Sequence, residues 1–180
     1  MMLKPVVIHI LLFFLITSCI RINIKSEEKN ILLTELDFEQ YGFEFQSSVA
    51  GKYKKYKYLD GSYEIEYEFD GYDKNSAYLF ISNTLITDLT EEEAEITYQA
   101  EGVVTKLSHL IKSEFLPVEG FLYGNRSELF IWYVEGVPTG NMCRFQISNR
   151  TYYLIIGGIY FNNLTEWMLF FNDKIANKNY

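Results

Sequence analysis

The sequence predicts an α+β domain, an antiparallel sheet of about six or seven strands flanked by helices. Three observations carry that prediction. The chain holds fifteen Tyr and fourteen Phe but only three Pro, the profile of a packed, sheet-forming sequence and not of a disordered stalk. The segment Tyr152-Tyr153-Leu154-Ile155-Ile156 does not alternate, as expected of a strand covered on both faces. Two segments, opening at Thr90 and at Asn163, each combine a capping residue with apolar residues three and four apart, the pattern of amphipathic helices.

In chain order, Lys4 supplies a positive start and Val6 to Ile16 an apolar run broken only by His9, after which Thr17 and Ser18 lead into Cys19. The run falls well under the ~20 residues of a membrane-spanning helix, so residues 1–18 read as a removable signal peptide. Residues 19–30, with polar Ser26-Glu27-Glu28-Lys29-Asn30, read as a tether. Residues 31–180 carry no internal repeat and no low-complexity tract, and read as one domain.

Within that domain Asp60-Gly61 signals a two-residue hairpin turn between Lys52–Leu59 and Ser62–Phe69. Such a turn sets Lys57 opposite Glu64, Lys55 opposite Glu66, Tyr58 opposite Tyr63 and Tyr56 opposite Ile65, pairs worth about 0.2–1 kcal/mol each. The Lys/Glu face then meets solvent and the Tyr/Ile/Phe face the core. A strand follows at Ala77 to Ser82. Thr90 to Glu93 is a Thr-x-x-Glu capping box whose acidic first turn suits the helix dipole. Ile96, Ala100, Val103, Leu107 and Leu110 form the apolar stripe of that helix, which ends near Ser113, before the break at Phe115-Leu116-Pro117. Glu128 to Glu135 is a strand, Gly136 to Gly140 a loop, Asn141 to Ser148 a strand, Asn149-Arg150 a tight turn and Thr151 to Phe161 the central strand. Gly157-Gly158 within it marks a bulge or a close packing partner. A last helix spans about Leu164 to Ile175, capped by Asn163 with Glu166 three residues on, and buries Leu164, Trp167, Met168, Phe171 and Ile175.

The formal charge is −8, and removal of Lys4 makes it more negative. An acidic chain without a basic cluster repels nucleic-acid phosphates and gains nothing from anionic lipid. Cys143 is the only cysteine besides Cys19; it alternates onto one face with Phe145 and Ile147 and reads as a buried structural thiol. His109, the one histidine outside the signal, falls beside Lys106 and Lys112 on the polar side of its helix. One His and one Cys on separate elements make neither a Cys-His nucleophile nor a zinc site, and no Gly-x-Ser-x-Gly elbow or phosphate cradle is present. Asp70-Gly71-Tyr72-Asp73-Lys74-Asn75 lacks the ligand spacing of a calcium loop and reads as a turn. Glu91, Glu92, Glu93 and Glu95 read as a capped, solvated helix start, with a patch for a basic partner as the alternative. These observations single out no catalytic residue and no cofactor.

Ile16-Thr17-Ser18-Cys19, an aliphatic residue and two small ones before a cysteine, resembles the bacterial lipobox. The resemblance implies a diacylglycerol on the Cys19 thiol, cleavage before Cys19 and a further acyl chain on the new amine; Ile16, Thr17 and Ser18 would then be the recognition residues of the signal peptidase. Two or more acyl chains hold a protein stably on a membrane. Ile20 stands where an Asp would favour inner-membrane retention, so the resemblance points to the outer membrane in a two-membrane host. The capped helix, the meander, the doubly apolar strand and the terminal Trp167-Met168-Leu169-Phe170-Phe171-Asn172 helix resemble, over Tyr41 to Ile175, the α/β/α sandwich of the PsbP and DcrB-like family. That resemblance implies a non-enzymatic role in binding partner proteins or stabilising assemblies. The resulting expectation is an envelope lipoprotein that meets the membrane through its acyl chains and an envelope protein through its domain. A binding module for a small apolar or lipidic ligand, and an immunity-type lipoprotein against a periplasmic toxin, are the alternatives.

Overall fold

The computed structural model describes residues 24–46, 50–108 and 113–171. Seven strands, β1 (Lys52–Lys57), β2 (Tyr63–Tyr72), β3 (Tyr78–Thr87), β4 (Ser113–Pro117), β5 (Arg126–Val134), β6 (Val137–Ile147) and β7 (Arg150–Gly157), form one sheet in the order β1-β2-β3-β7-β6-β5-β4. Every pairing is antiparallel. Two meanders, β1–β3 and β4–β7, thus join along β3 and β7. The fold is α+β, with far more strand than helix, as the aromatic and β-branched composition anticipates. The doubly apolar segment is the central strand, fourth of seven, with Tyr152, Leu154 and Ile156 buried on one side and Thr151 and Gly157 on the other.

One sheet face carries the core. Ile65, Tyr67 and Phe69 of β2, Leu79, Ile81 and Leu85 of β3, and Cys143 and Phe145 of β6 are buried there with the β7 residues. The chain before β1 covers them, through Leu32, Leu33 and Phe38, the last on a 3-10 helix at Glu35–Tyr41. Among the described residues three further helical segments are α1 (Ser26–Lys29), α2 (Glu91–Ser108) and α3 (Leu164–Phe171). α3 drives Trp167 into this core at zero exposure. Asn163 caps α3 as expected, its Oδ1 accepting from the Glu166 N–H at 2.9 Å.

α2 lies on the other face, held there by polar groups. The Thr151 hydroxyl donates to Ala94 O (3.2 Å), Arg144 Nη1 to Tyr98 O (3.1 Å) and Gln146 Nε2 to Glu91 O (3.2 Å). Buried Arg144, Gln146 and Thr151 are thereby satisfied by helix carbonyls. The capping box is present: the Glu93 N–H donates to Thr90 Oγ1 and the Thr90 N–H to the Glu93 carboxylate, both at 3.2 Å.

Several local expectations are corrected. The first hairpin turns through three residues, Leu59-Asp60-Gly61, with Gly61 at φ +102° and the Tyr58 N–H donating to Ser62 O at 2.9 Å. A left-handed glycine closing a type I turn is the usual three-residue solution. The extra residue slips the register by one, so Lys57 pairs with Tyr63, Tyr56 with Glu64, Lys55 with Ile65 and Lys54 with Glu66. A slip of one exchanges the faces of a strand. β2 keeps Tyr/Ile/Phe inward as expected, but in β1 Tyr56 and Tyr58 lie on the outer face with the glutamates, and Lys55 turns to the core side.

The α2 stripe is also displaced. Ile96 is 63% exposed and Ala100 is exposed, while Ala94 and Tyr98 are buried. That is a rotation of about 200° at 3.6 residues per turn. Its cause is the polar sheet face beneath: buried Arg144, Gln146 and Thr151 require carbonyls of α2 close by, which the small Ala94 permits. The side chains of Val103 and Leu107, and Leu110 entirely, lie outside the described residues. The expected break at Phe115-Leu116-Pro117 is edge strand β4, where Pro117 is tolerated because it ends the strand.

The expected Gly136–Gly140 loop is a two-residue turn. Glu135 and Gly136 have φ +52° and +79°, as a type I′ hairpin requires, and β6 starts at Val137. A register shift between Trp132 and Tyr133 leaves Thr139 unopposed, a bulge that accommodates Pro138. The next turn is Ser148-Asn149, one residue earlier than expected, because Ile147 pairs with Arg150 and the Asn149 side chain donates to Asp88 O at 2.6 Å. β7 ends at Gly157, short of Phe161. Gly158, at φ +92°, leaves the strand so close to Tyr78 that a Cβ would stand 1.9 Å from its carbonyl oxygen.

Candidate functional site

Cys19, with Ile16, Thr17 and Ser18, lies outside the described residues, as do His109 and Ile175, where the sequence predicts the end of the terminal helix. What the structure shows is how the chain after Cys19 joins the sheet. Ile24 packs against the core. Glu28 of α1 accepts from Lys55 Nζ at 2.6 Å, the two side chains only 16% and 10% exposed. Burial pushes the Glu28 carboxyl up, but the Lys55 ammonium and the Lys25 N–H outweigh it and hold it below the usual carboxylate range. Lys55 Nζ also stands 4.7 Å over the Tyr63 ring, and Lys29 Nζ 5.0 Å over Tyr53, contacts that favour a cation over an aromatic face. Residues 24–30 thus lie against β1 instead of hanging free of it.

The next anchor is Glu35, 5% exposed, whose carboxylate accepts from the Tyr67 hydroxyl. Tyr67 OH in turn accepts the Gly51 N–H at 3.2 Å. Burial first, then the charges of Glu35 and Asp37, push the Tyr53 phenol up. A buried carboxylate needs such partners, and this one pins the pre-sheet segment to β2. Neither Glu35 nor the Lys55–Glu28 pair is legible in sequence, because both follow from packing between distant segments. The Thr34-x-x-Asp37 spacing, which places the Thr34 N–H 2.7 Å from Asp37 Oδ2, was the available sign of a helix start there.

The remaining chemical candidates resolve into structural roles. Asp73 Oδ1 accepts the N–H groups of Asn75 and Ala77, each at 2.8 Å, and its Oδ2 that of Glu44 at 3.2 Å. Desolvation raises its carboxyl, but these donors prevail and hold it below its ordinary value. The Asp70–Asn75 segment is accordingly a turn closed by Asp73 on backbone amides. Among the described residues, no three His, Cys, Asp or Glu side chains converge as a metal site. In the acidic cluster, Glu91 accepts from Asn125 at 2.6 Å, Glu95 pairs with Arg126, and Glu93 caps the helix.

Cys143 is fully buried, and burial pushes its thiol well up, outweighing the opposing effect of the neighbouring Trp167 indole. A buried, protonated thiol is inert. In the acylated protein an aromatic disulfide reagent should therefore titrate no thiol until denaturant is added, and then one; rapid reaction of the native protein would show that Cys143 is accessible.

Searches with the chain found no matching family model, curated protein or solved structure. The fold and the sequence therefore carry the functional reading between them.

Proposed function

We propose that the protein is a bacterial envelope lipoprotein, anchored through acyl chains on Cys19, whose acidic α+β domain acts as a non-enzymatic interaction or assembly-accessory module. The observation that carries this reading is Ile16-Thr17-Ser18-Cys19 at the end of the apolar run. The α/β/α sandwich likeness to the PsbP and DcrB-like family belongs to the same proposal. It is supported by α2 and α3 lying on opposite faces of the sheet. An outer-membrane position in a two-membrane host follows from Ile20.

The test is intact mass and membrane fractionation of the natively expressed protein beside Cys19→Ala. The expected result is a wild type carrying acyl mass in the membrane fraction and a variant that leaves it, since the anchor is what holds the domain there. A cleaved, soluble wild type without acyl mass would sink the proposal. For the interaction role, crosslinking in solubilised membranes should recover one reproducible envelope protein, and its repeated absence would count against that part.

A further inference from the structure

We infer that the sheet end formed by the first hairpin turn and the start of α2 rests on the bilayer, with Leu59 and Leu89 entering the lipid interface. This rests on the reading of Cys19 as acylated and deepens it, because it states how the domain is oriented on its anchor.

The path of the pre-sheet chain sets the orientation. The Glu44 N–H is bound by Asp73, just beyond the far end of β2; Glu35 is bound by Tyr67 in its middle; Glu28 is bound by Lys55, which is paired with Ile65. Traced toward its N-terminus, the chain therefore runs along β2 from the Tyr72 end to the Tyr63 end, where the Leu59-Asp60-Gly61 turn lies. Five peptide steps separate Ile24 from Cys19, a reach of at most about 18 Å whatever their conformation. At 3.3 Å per strand residue the Glu28–Lys55 pair, opposite Ile65, stands about 13 Å from Leu59 and about 23 Å from Tyr72, so acyl chains on Cys19 bring the membrane nearer the turn end of the sheet than the opposite one.

At that end two leucines protrude beside the exposed acidic first turn of α2, Glu91-Glu92-Glu93. Leu59 is 80% exposed and Leu89 55% exposed. They sit on one tip, for a Cβ on Gly61 would lie 3.5 Å from Leu89 Cδ2. The one carboxylate in the turn, Asp60, is folded back onto the Ser62 N–H and hydroxyl at 2.9 and 2.6 Å, and the exposed residue before Tyr58 is a cation, Lys57. The protruding leucines suit the boundary between headgroups and acyl chains, with Lys57 and the α2 glutamates left in the hydrated headgroup layer. The full sequence carries a net charge of −8 and the cleaved chain, without Lys4, is more negative still, so the lipid addressed is zwitterionic.

The experiment uses the full acylated chain in phosphatidylcholine vesicles whose acyl chains carry bromine. An environment-sensitive fluorophore is attached at Leu59→Cys, at Leu89→Cys, or, as the distant control, at Tyr72→Cys; Cys143 is buried and does not compete. The labels at 59 and 89 should shift to the blue and lose most of their emission to the brominated chains, while the label at 72 stays unquenched. Equal quenching at all three positions, or labels at 59 and 89 that remain in water on protein whose mass shows the acyl groups, would overturn the orientation and leave the anchor standing. A blue shift without bromine quenching would mean that protein covers the tip, and would overturn it as well. Absence of acyl mass would overturn the anchor and this inference together.

Discussion

Replacing Trp167 by alanine should cost about 3–5 kcal/mol of stability, the range for removing a fully buried large aromatic side chain. Trp167 has zero exposure and packs edge-on against Phe161 with ring centroids 5.5 Å apart. Phe161 in turn meets Tyr41 at 5.2 Å. Its backbone is clamped by Asn141, which accepts its N–H at 2.7 Å and donates to its carbonyl at 3.1 Å. The single substitution therefore empties the joint between α3, the segment after β7 and the chain before β1. Against a typical total of 5–15 kcal/mol, it should leave the domain marginal. The denaturation midpoint followed by far-ultraviolet circular dichroism measures it. Leu122→Ala, at a side chain 86% exposed, is the reference and should change stability by no more than about 0.5 kcal/mol. A loss at Trp167 no larger than that reference would show that α3 does not hold the core closed.

Gly140→Ala should be of comparable severity for a different reason. A Cβ at Gly140 would stand 1.8 Å from the Ile156 carbonyl oxygen and 2.9 Å from Gly157 Cα. Both are backbone atoms of the central strand, so no side chain can rotate away, and β6 must separate from β7 where they pair. Overpacking alone costs about 1–3 kcal/mol, and each ladder hydrogen bond lost adds about 1 kcal/mol, for a total of about 3 kcal/mol or more. Gly136→Ala separates this from a general intolerance of side chains at glycine: it lies in open space at φ +79°, and backbone strain alone should cost about 1 kcal/mol. Equal midpoints for the two variants would refute the steric account.

Where the chain was legible, the signal was local. Thr90 and Glu93, and Asn163 and Glu166, specify helix starts because a cap is made within four residues of backbone, and both are found as read. The central position of β7 was legible from Tyr152 to Ile156 because a strand buried on both faces cannot alternate. The inward face of β2 was legible from its strict alternation. The proposed lipid anchor rests on a signal of the same local kind, the four consecutive residues Ile16-Thr17-Ser18-Cys19. The leucine tip was not legible: Leu59 read as the end of a strand arm, and nothing near it in sequence connects it to Leu89.

The misreadings share a cause as well. Asp60-Gly61 permits a two- or a three-residue turn, and the choice moved every β1 side chain to the other face, carrying Lys55 to Glu28 of a distant segment. Apolar spacing in α2 marked a helix correctly but not its buried side, because the sheet beneath presents Arg144, Gln146 and Thr151, which need carbonyls. From its own sequence this chain specifies where α2 and α3 start and which strand is central, since each rests on residues adjacent along the chain. The hairpin register, the face α2 buries and the course of the pre-sheet segment along β2 were settled by contacts between residues far apart in sequence, where satisfying buried polar groups outweighed local pattern.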